Sequence, residues 1–291
     1  MARFTRYWTA WIGAERSKKG KSLFELADRG NGGESVNIKL IAHTQLSKRF
    51  FNENIESYLK NSELKWTTDG QIVSLTAIRT CYSPNKPSEI VEKEGEKYFG
   101  RTASDGQGGT EADRLFRQIV ASKHTSTLEH ITFTFAIEGI SRACLAQLTR
   151  HRVGFSYSVQ SQRYCKFGSN DKTGGFDYVV PESVKGDKYV TIDDGKQIPA
   201  SDYYVACMKT IQRMYDDLRA AGIAGEDSRM VLPNAATCNL VMTANLRALL
   251  DFYSKRRKGR GAQAEIANLA EKLREEVTKV ESWTDQFFEV V

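Results

Sequence analysis

Apolar and polar residues alternate along two parts of the chain, a pattern typical of β-strands with one buried face. The first part covers residues 36–41. The second covers residues 131–137, where isoleucine and phenylalanine alternate with threonine and alanine; it is the clearest strand signal in the sequence, and Gly139 is expected to end it. A third apolar stretch covers residues 72–78, and residues 79–84 lead out of it into a predicted loop.

Apolar residues spaced three or four positions apart predict amphipathic helices elsewhere. Ser141 is suited to cap a short helix, and in residues 112–121 the expected apolar face holds Leu115, Ile119 and Val120. The predicted helices are pieces within residues 52–61, then 112–121, 141–148, 200–220, 234–257, and a last long helix from about Ala262.

Turn-forming residues predict the connections between these elements. Residues 84–110 are polar and contain two glycine turns, which predicts a mobile loop, and residues 165–201 predict loops and short strands. The cluster of polar residues at 123–130 predicts a turn with surface histidines. The order of elements indicates helices that cover a sheet, in an α+β or α/β domain.

Length and composition are those of a soluble globular protein. The chain has 291 residues, of which 40% are hydrophobic and 27% charged. Residues 1–34 are interpreted as an N-terminal extension and residues 35–291 as the main domain. No run approaches the roughly 20 apolar residues of a membrane span, and the first residues do not resemble a secretory signal. Five widely spaced cysteines without a Cys-x-x-Cys pair favour reduced thiols in the cytoplasm.

The charge balance narrows the kinds of ligand that the chain is expected to bind. The net charge of +6 suits anionic small molecules and is too low to indicate nucleic acid by itself. No Gly-x-Gly-x-x-Gly follows a strand and there is no Walker loop, so a bound nucleotide would use neither a Rossmann turn nor a P-loop. No recognised metal-ligand spacing is present.

The segment 150–164 has the most distinctive chemistry of the chain. Its fifteen residues include three arginines, one histidine, three serines and two tyrosines, and no acidic residue. Arginine gives bidentate, charge-assisted hydrogen bonds to phosphate, and tyrosine suits a stacked planar ring. Cations at the end of a helix would explain only part of this set. The segment therefore predicts a nucleotide site, for phosphate together with a base or flavin.

The same segment resembles the signature of the flavin-dependent thymidylate synthases, the ThyX family. The resemblance lies in Arg150-His151-Arg152, a spacer, and Ser161-Gln162-Arg163-Tyr164, with a spacer of eight residues where seven are usual. Weaker matches continue in order through Arg229, Asn245, Arg247 and Arg256. The resemblance covers roughly residues 36–285.

The resemblance implies an α+β fold with a central, mostly antiparallel sheet flanked by helices. It implies a methyltransferase that converts dUMP to dTMP, with FAD as hydride donor, NADPH as reductant and methylenetetrahydrofolate as one-carbon donor. A homotetramer is implied, without nucleic-acid or membrane partners and without a metal.

By the same resemblance, two sets of residues receive roles. The expected FAD contacts are His124, Ser126, Glu129, Arg150, His151, Arg152, Asn245, Arg247 and Asp251, the last at a position where the family often has Asn or His. The expected dUMP contacts are Gln147, Arg150, Ser161, Gln162, Arg163, Arg229 and Arg256, with Arg163 and Arg229 on the phosphate. Arg256 is expected at the edge of the uracil ring as the catalytic residue.

Alternatives remain open at this point. Arg257 could take the role given to Arg256, because the loop that follows is one residue longer than usual. Cys165 is a rival nucleophile among cations, although the family is understood to use no enzyme nucleophile, which leaves Ser161 a binding residue. An RNA- or DNA-binding module is a second class of function, which a colourless protein would indicate, and a flavin reductase or nucleotide hydrolase is a third.

Overall fold

A computed structural model describes residues 36–56, 67–192 and 195–290 of the chain. Contacts divide the chain into two compact units. Of the described residues, unit 1 contains those in the ranges 36–37, 138–145 and 160–239, and unit 2 contains those in the ranges 38–137, 146–159 and 240–290. The predicted extension, residues 1–34, lies outside the described residues.

Among the described residues, six strands form two sheets. The strands are β1 Asn37–His43, β2 Thr132–Ser141, β3 Phe155–Val159, β4 Tyr189–Thr191, β5 Gln197–Pro199 and β6 Thr237–Asn245. The larger sheet has the order β1-β2-β6-β3, and β4 pairs with β5 in the smaller one. β3 runs antiparallel to β6, with Phe155 opposite Ala244 and Val159 opposite Leu240.

Helices and short helical turns account for most of the remaining described residues. The helices are α1 Asp69–Tyr82, α2 Ile90–Phe99, α3 Glu111–Ala121, α4 Arg142–Leu148, α5 Ala200–Ala220, α6 Gly225–Ser228, α7 Leu246–Arg256, α8 Ala264–Val280 and α9 Asp285–Val290. Short helical turns lie at Lys48–Phe50, Phe51–Ile55, Pro87–Glu89, Thr125–His130, Glu182–Val184, Arg229–Val231 and Ser282–Thr284. No described helix is long and apolar enough to cross a membrane.

Several predicted elements are confirmed. β1 and β2 form where residues alternate, and α5 has the predicted bounds of 200 and 220. Ser141 caps α4, because its hydroxyl oxygen accepts a hydrogen bond of 2.9 Å from the backbone nitrogen of Cys144. The last long helix, α8, begins two residues after the predicted start. The helical pieces predicted within residues 52–61 are confirmed up to residue 56, and the rest lies outside the described residues.

The predicted helix over residues 234–257 is wrong in its first half, which forms β6. Cys238, Leu240, Met242 and Ala244 are buried and alternate with more exposed residues. This spacing of two is a strand pattern. Asn245 then caps α7, so the true start of the helix is marked by a capping residue inside the predicted range.

The predicted loop over residues 84–110 is wrong for its central part, which forms α2. Ile90, Val91, Tyr98 and Phe99 are buried, and these positions lie on one side of a helix of 10 residues. Their polar neighbours obscured this face in the sequence. The loop expected from residues 79–84 also begins late, because α1 continues to Tyr82.

Smaller corrections concern the buried face of α3, the end of β2 and the segment that contains β3. In α3 the buried apolar residues are Ala112, Phe116 and Ile119, so only Ile119 of the expected face is buried. β2 continues past Gly139, which has a φ of 76°, to Ser141. The cation-rich segment expected to be a loop contains β3, because Phe155, Tyr157 and Val159 alternate with serines.

Each unit has its own set of packed residues or helices. In unit 1 a buried cluster is formed by Phe167, Phe176, Tyr178, Met208, Tyr215 and Ala236. In unit 2 the 3₁₀ turn Thr125–His130 packs on both α1 and α7, and α7 also packs on α8. α7 is therefore the element of unit 2 around which the candidate site is arranged.

Candidate functional site

The start of α7 lies against the turn that follows Arg152. The side chain of Asn245 accepts a hydrogen bond of 2.8 Å from the backbone nitrogen of Ala248, and its own backbone nitrogen donates to the Gly154 carbonyl over 3.1 Å. Gly154 has a φ of 75°, and a Cβ atom there would lie 2.7 Å from both Ala248 Cβ and Asn245 Nδ2. Glycine is therefore required for this close approach.

His151 is held between an arginine and an aromatic ring. Arg256 Nε lies 3.1 Å from His151 Nε2. Since guanidinium can only donate, His151 Nε2 must accept, and the ring proton of the neutral histidine is then on Nδ1. The Phe252 ring meets the imidazole edge-on, with centroids 4.9 Å apart. Burial, and then the charge of Arg256, lowers the pKa of His151, which favours the neutral form.

Tyr157 fixes the backbone of the same segment. Its hydroxyl lies 2.7 Å from the His151 carbonyl and 3.1 Å from the Leu148 carbonyl, to which it donates. Burial raises the pKa of Tyr157 well above its ordinary value, so the hydroxyl stays protonated. Sequence reasoning missed Tyr157 and Phe252 as supports of the site. The alternation within β3 was the signal that could have identified Tyr157.

The turn Thr125–His130 brings further predicted residues to α7 and α1. Glu129 forms an ion pair with Arg247 of α7. His124 Nδ1 and the Tyr82 hydroxyl are 2.9 Å apart. Ser126 is exposed beside them in sequence.

The remaining predicted residues of α7 differ in their partners. Asp251 forms an exposed ion pair of 2.7 Å with Lys255, one helical turn away. Arg257 Nη1 is 3.5 Å from Glu289 Oε2, whereas Arg256 contacts His151. Arg256, rather than Arg257, is therefore the arginine that adjoins the segment 150–152.

Arg150 and Arg152 are exposed cations at the end of α4. Within the described part of the chain, no carboxylate forms an ion pair with either of them. Gln147 of α4 donates to the side-chain oxygen of Gln263. Two guanidinium groups that have no carboxylate partner among the described residues give unit 2 a set of donors suited to an anionic group.

In unit 1, two predicted phosphate ligands contact one acidic residue. Arg163 Nε is 2.5 Å from a carboxylate oxygen of Glu226, and Arg229 Nε donates to the Glu226 carbonyl over 3.0 Å. The Ser161 hydroxyl oxygen accepts from the backbone nitrogen of Arg163 over 3.2 Å, which closes a turn. Gln162 is buried, with 9% of its surface exposed. Sequence reasoning missed Glu226, which no pattern distinguished from its acidic neighbour.

The predicted residues thus fall into two groups. Unit 2 contains His124, Ser126, Glu129, Gln147, Arg150, His151, Arg152, Asn245, Arg247, Asp251 and Arg256. Unit 1 contains Ser161, Gln162, Arg163 and Arg229. Across the described ranges, no group of three or more His, Cys, Asp or Glu residues is arranged to hold a metal ion.

Comparison with known proteins identifies the class to which this fold and these residues belong. The family described as "Thymidylate synthase complementing protein" matches residues 63–281. The flavin-dependent thymidylate synthase of Geobacter sulfurreducens is 38% identical over 212 residues, which cover 73% of this chain and 79% of the relative. That of Clostridium tetani is 30% identical over 233 residues, covering 75% and 81%.

The chain belongs to the thymidylate synthase complementing protein family. Solved structures agree with this in fold. The UMP/dUMP methylase PolB of Streptomyces cacaoi, bound with 5-Br dUMP, superposes with a TM-score of 0.59 at 20% identity, covering 88% of this chain and 96% of that one. Thymidylate Synthase X of Helicobacter pylori, with FAD and dUMP, gives 0.52 at 20% identity, covering 87% and 97%. The predicted α+β class is confirmed.

Proposed function

We infer that the chain is a flavin-dependent thymidylate synthase, a methyltransferase that carries out the reductive methylation of dUMP to dTMP. The observation that carries this inference is family membership over residues 63–281 together with the arginine-rich segment 150–164. The named relatives are flavin-dependent thymidylate synthases. The Helicobacter pylori structure, which holds FAD and dUMP, supports the same pair of ligands here.

The residues of unit 2 fit FAD. Its diphosphate requires several N–H donors, and Arg150 and Arg152 supply guanidinium groups without a carboxylate partner among the described residues. Asn245 uses its side-chain oxygen for the cap of α7, which leaves its amide nitrogen as a donor. The residues that would hold FAD are His124, Ser126, Glu129, Arg150, His151, Arg152, Asn245, Arg247 and Asp251.

When bound, FAD supplies the hydride of the reaction, with NADPH as its reductant and methylenetetrahydrofolate as the source of the one-carbon unit. The chain's own residues bind dUMP and stabilise charge on it. The residues that would contact dUMP are Gln147, Arg150, Ser161, Gln162, Arg163, Arg229 and Arg256.

Arg256 is the proposed catalytic residue. Its Nε is occupied by His151, which holds the guanidinium plane in one orientation. The terminal nitrogens then remain as donors for the oxygens of the uracil ring. A fixed cation at this ring edge stabilises negative charge that develops on the pyrimidine, and it does so without reorganising.

Assembly into a homotetramer is the proposed quaternary structure. Three apolar side chains beside proposed ligands are exposed in the single chain: Val153 by 90%, Met230 by 80% and Tyr164 by 78%. Large exposed apolar groups are typical of surfaces that a partner covers. A cytoplasmic location is proposed with it, in keeping with five free cysteines.

Two measurements test the function. The purified protein is expected to show the visible absorbance of a flavin and to convert dUMP to dTMP when NADPH and methylenetetrahydrofolate are supplied. A coloured protein that oxidises NADPH without forming dTMP would indicate a flavin reductase instead. A protein that does not take up FAD would contradict the proposal.

A further inference from the structure

Glu226 contacts two arginines that reach it from different parts of unit 1. Arg163 follows β3 by four residues and meets the Glu226 carboxylate through Nε at 2.5 Å. Arg229 begins the 3₁₀ turn after α6 and meets the Glu226 carbonyl through Nε at 3.0 Å. A single residue therefore contacts both guanidinium groups, once through its side chain and once through its backbone.

The contacts leave the outer edges of both guanidinium groups available. Among the described residues, no hydrogen bond engages a terminal nitrogen of Arg163 or Arg229. Each guanidinium has five N–H donors in a rigid fork, and using Nε fixes the plane in which the terminal nitrogens lie. Bidentate recognition of phosphate uses such terminal nitrogens.

The backbone on both sides of Glu226 is itself fixed. Ser228 is fully buried, and its hydroxyl donates to the Ile223 carbonyl over 3.3 Å. Arg219 Nη1 donates to the same carbonyl over 2.8 Å. The backbone of Glu226 is consequently fixed, whereas the Arg163 side chain is 58% exposed and is oriented by this ion pair and by its contact with the Tyr164 ring, whose centroid is 5.6 Å from the guanidinium carbon.

We propose that Glu226 is a positioning residue that orients Arg163 for the phosphate of dUMP. This inference rests on the proposed function, because it takes dUMP as the substrate and Arg163 as a phosphate ligand. Glu226 touches neither the uracil nor the cofactor in this role, so it governs binding and not the chemical step.

A competing effect has the opposite sign. A carboxylate beside Arg163 repels a phosphate, so its removal could strengthen binding. The pair is exposed, with 44% of the Glu226 side chain accessible, and solvent screens such repulsion strongly. Arginine also loses many rotamers when it is fixed for binding. Orientation therefore outweighs repulsion, and the loss of Glu226 weakens binding.

The test compares Glu226→Ala and Glu226→Gln with Asp227→Asn, a neighbouring exposed acid whose side chain forms no hydrogen bond or ion pair with a described residue. Glu226→Ala is expected to raise the KM for dUMP about threefold to fivefold, the upper part of the range for an exposed ion pair, with kcat within about twofold. Glu226→Gln, whose amide oxygen can still accept a hydrogen bond from Arg163, is expected to have a KM between those of the wild type and Glu226→Ala. Asp227→Asn is expected to behave as the wild type.

Two further arms separate positioning from general damage. In an Arg163→Ala background, Glu226→Ala is expected to add no further increase in KM. Deoxyuridine, which lacks the phosphate, is expected to inhibit wild type and Glu226→Ala equally. An unchanged or lowered KM for Glu226→Ala, or a parallel loss of deoxyuridine binding, would overturn the proposal. Absence of dTMP formation by the wild type would instead contradict the proposed function.

Discussion

Arg256 donates from Nε to Nε2 of His151 over 3.1 Å, and this bond joins the end of α7 to the segment 150–152. It fixes two properties at once, the tautomer of the histidine and the plane of the guanidinium. Arg257 lies near Glu289 instead, so the two adjacent arginines have different partners.

The first prediction concerns Arg256. Arg256→Ala is expected to lower kcat by about 100-fold or more, as the loss of one charge-stabilising donor does, with a smaller effect on the Kd of dUMP. Arg257→Ala is the matched control and is expected to retain turnover. Steady-state kinetics and calorimetric titration give the two quantities, and a variant that loses dUMP binding but keeps its kcat would refute the catalytic role.

The second prediction concerns Arg163. Arg163→Ala is expected to raise the Kd of dUMP by about 10-fold to 100-fold, because hydrogen bonds to charged groups contribute about 1.5–3 kcal/mol. The kcat at saturating dUMP is expected to change much less. Lys185→Ala, another exposed cation of unit 1 that pairs with Glu182, serves as the control. The proposed phosphate contact is wrong if both variants bind dUMP alike.

The third prediction concerns Gly154, which lies against the start of α7. Gly154→Ala is expected to cost about 1–2 kcal/mol for its left-handed backbone, plus the cost of a Cβ placed 2.7 Å from Asn245 and Ala248. Gly106→Ala is the control, because Gly106 has a similar φ of 71° with nothing within 4 Å. Urea unfolding and flavin content are the measurements. Equal losses in the two variants would show that the close approach is not a constraint.

The fourth prediction concerns the hydroxyl of Tyr157. Tyr157→Phe removes a donor shared by two carbonyls and keeps the ring stacked on Phe155, whose centroid is 5.8 Å away. We expect a loss of about 1 kcal/mol in unfolding free energy and weaker retention of FAD during dialysis. Tyr189→Phe, at an exposed position of unit 1 outside the proposed site, should match the wild type in both measurements. A Tyr157→Phe variant that did so as well would remove Tyr157 from the site.

The fifth prediction concerns pH. Burial raises the pKa of Glu281, while hydrogen bonds from Thr68, Trp283 and the Gly70 backbone act against this shift. A raised pKa means that the folded state binds the proton more tightly than the unfolded state. The stability contributed by Glu281 is therefore present below its ordinary pKa of 4.5 and is lost as pH rises through the raised value.

The comparison is between wild type and Glu281→Gln in urea unfolding from pH 5 to 8. The stability of the wild type relative to the variant is expected to decline as pH rises. Glu276→Gln is the control without a slope in this range, because a hydrogen bond from Lys279 lowers the pKa of Glu276 below its ordinary value of 4.5, and the stability that Glu276 contributes is therefore constant from pH 5 to 8. A difference between wild type and Glu281→Gln that is independent of pH would contradict the assignment.

The elements that the sequence predicts best are those whose pattern is visible in neighbouring residues. α5 and β2 were found from periodicity, and the cap at Ser141 from residue type. α2 was missed because its apolar face has only four large residues separated by charged ones. The sequence of β6 predicts a helix because both periodicities fit a short apolar run, and only the pairing of β6 with its neighbours β2 and β3 in the sheet distinguishes a strand from a helix.

The candidate site shows the same limit. The arginines of the segment 150–164 were identifiable from composition, since cations without carboxylates are unusual in so short a stretch. Glu226, Tyr157 and Phe252 were not, because their importance comes from tertiary contacts that the chain makes only when folded. Residues that touch a ligand have a chemical signature, whereas residues that support them have only a geometric one.

The position of Val153 bears on the unusual length of the spacer between Arg152 and Ser161. Val153 and Gly154 form a turn, and the strand that follows begins at Phe155. An additional amino acid is tolerated in such a turn, since its side chain can extend into water. An additional residue within the strand would instead turn every later side chain to the other face of the sheet, and Phe155 or Tyr157 would then lie on the opposite face. Insertions and deletions that homologous chains accumulate before the strand should therefore fall beside Val153 and spare Gly154, because a side chain at Gly154 would collide with Asn245 and Ala248. The position of Val153 is thus the point at which the length of this turn can be engineered.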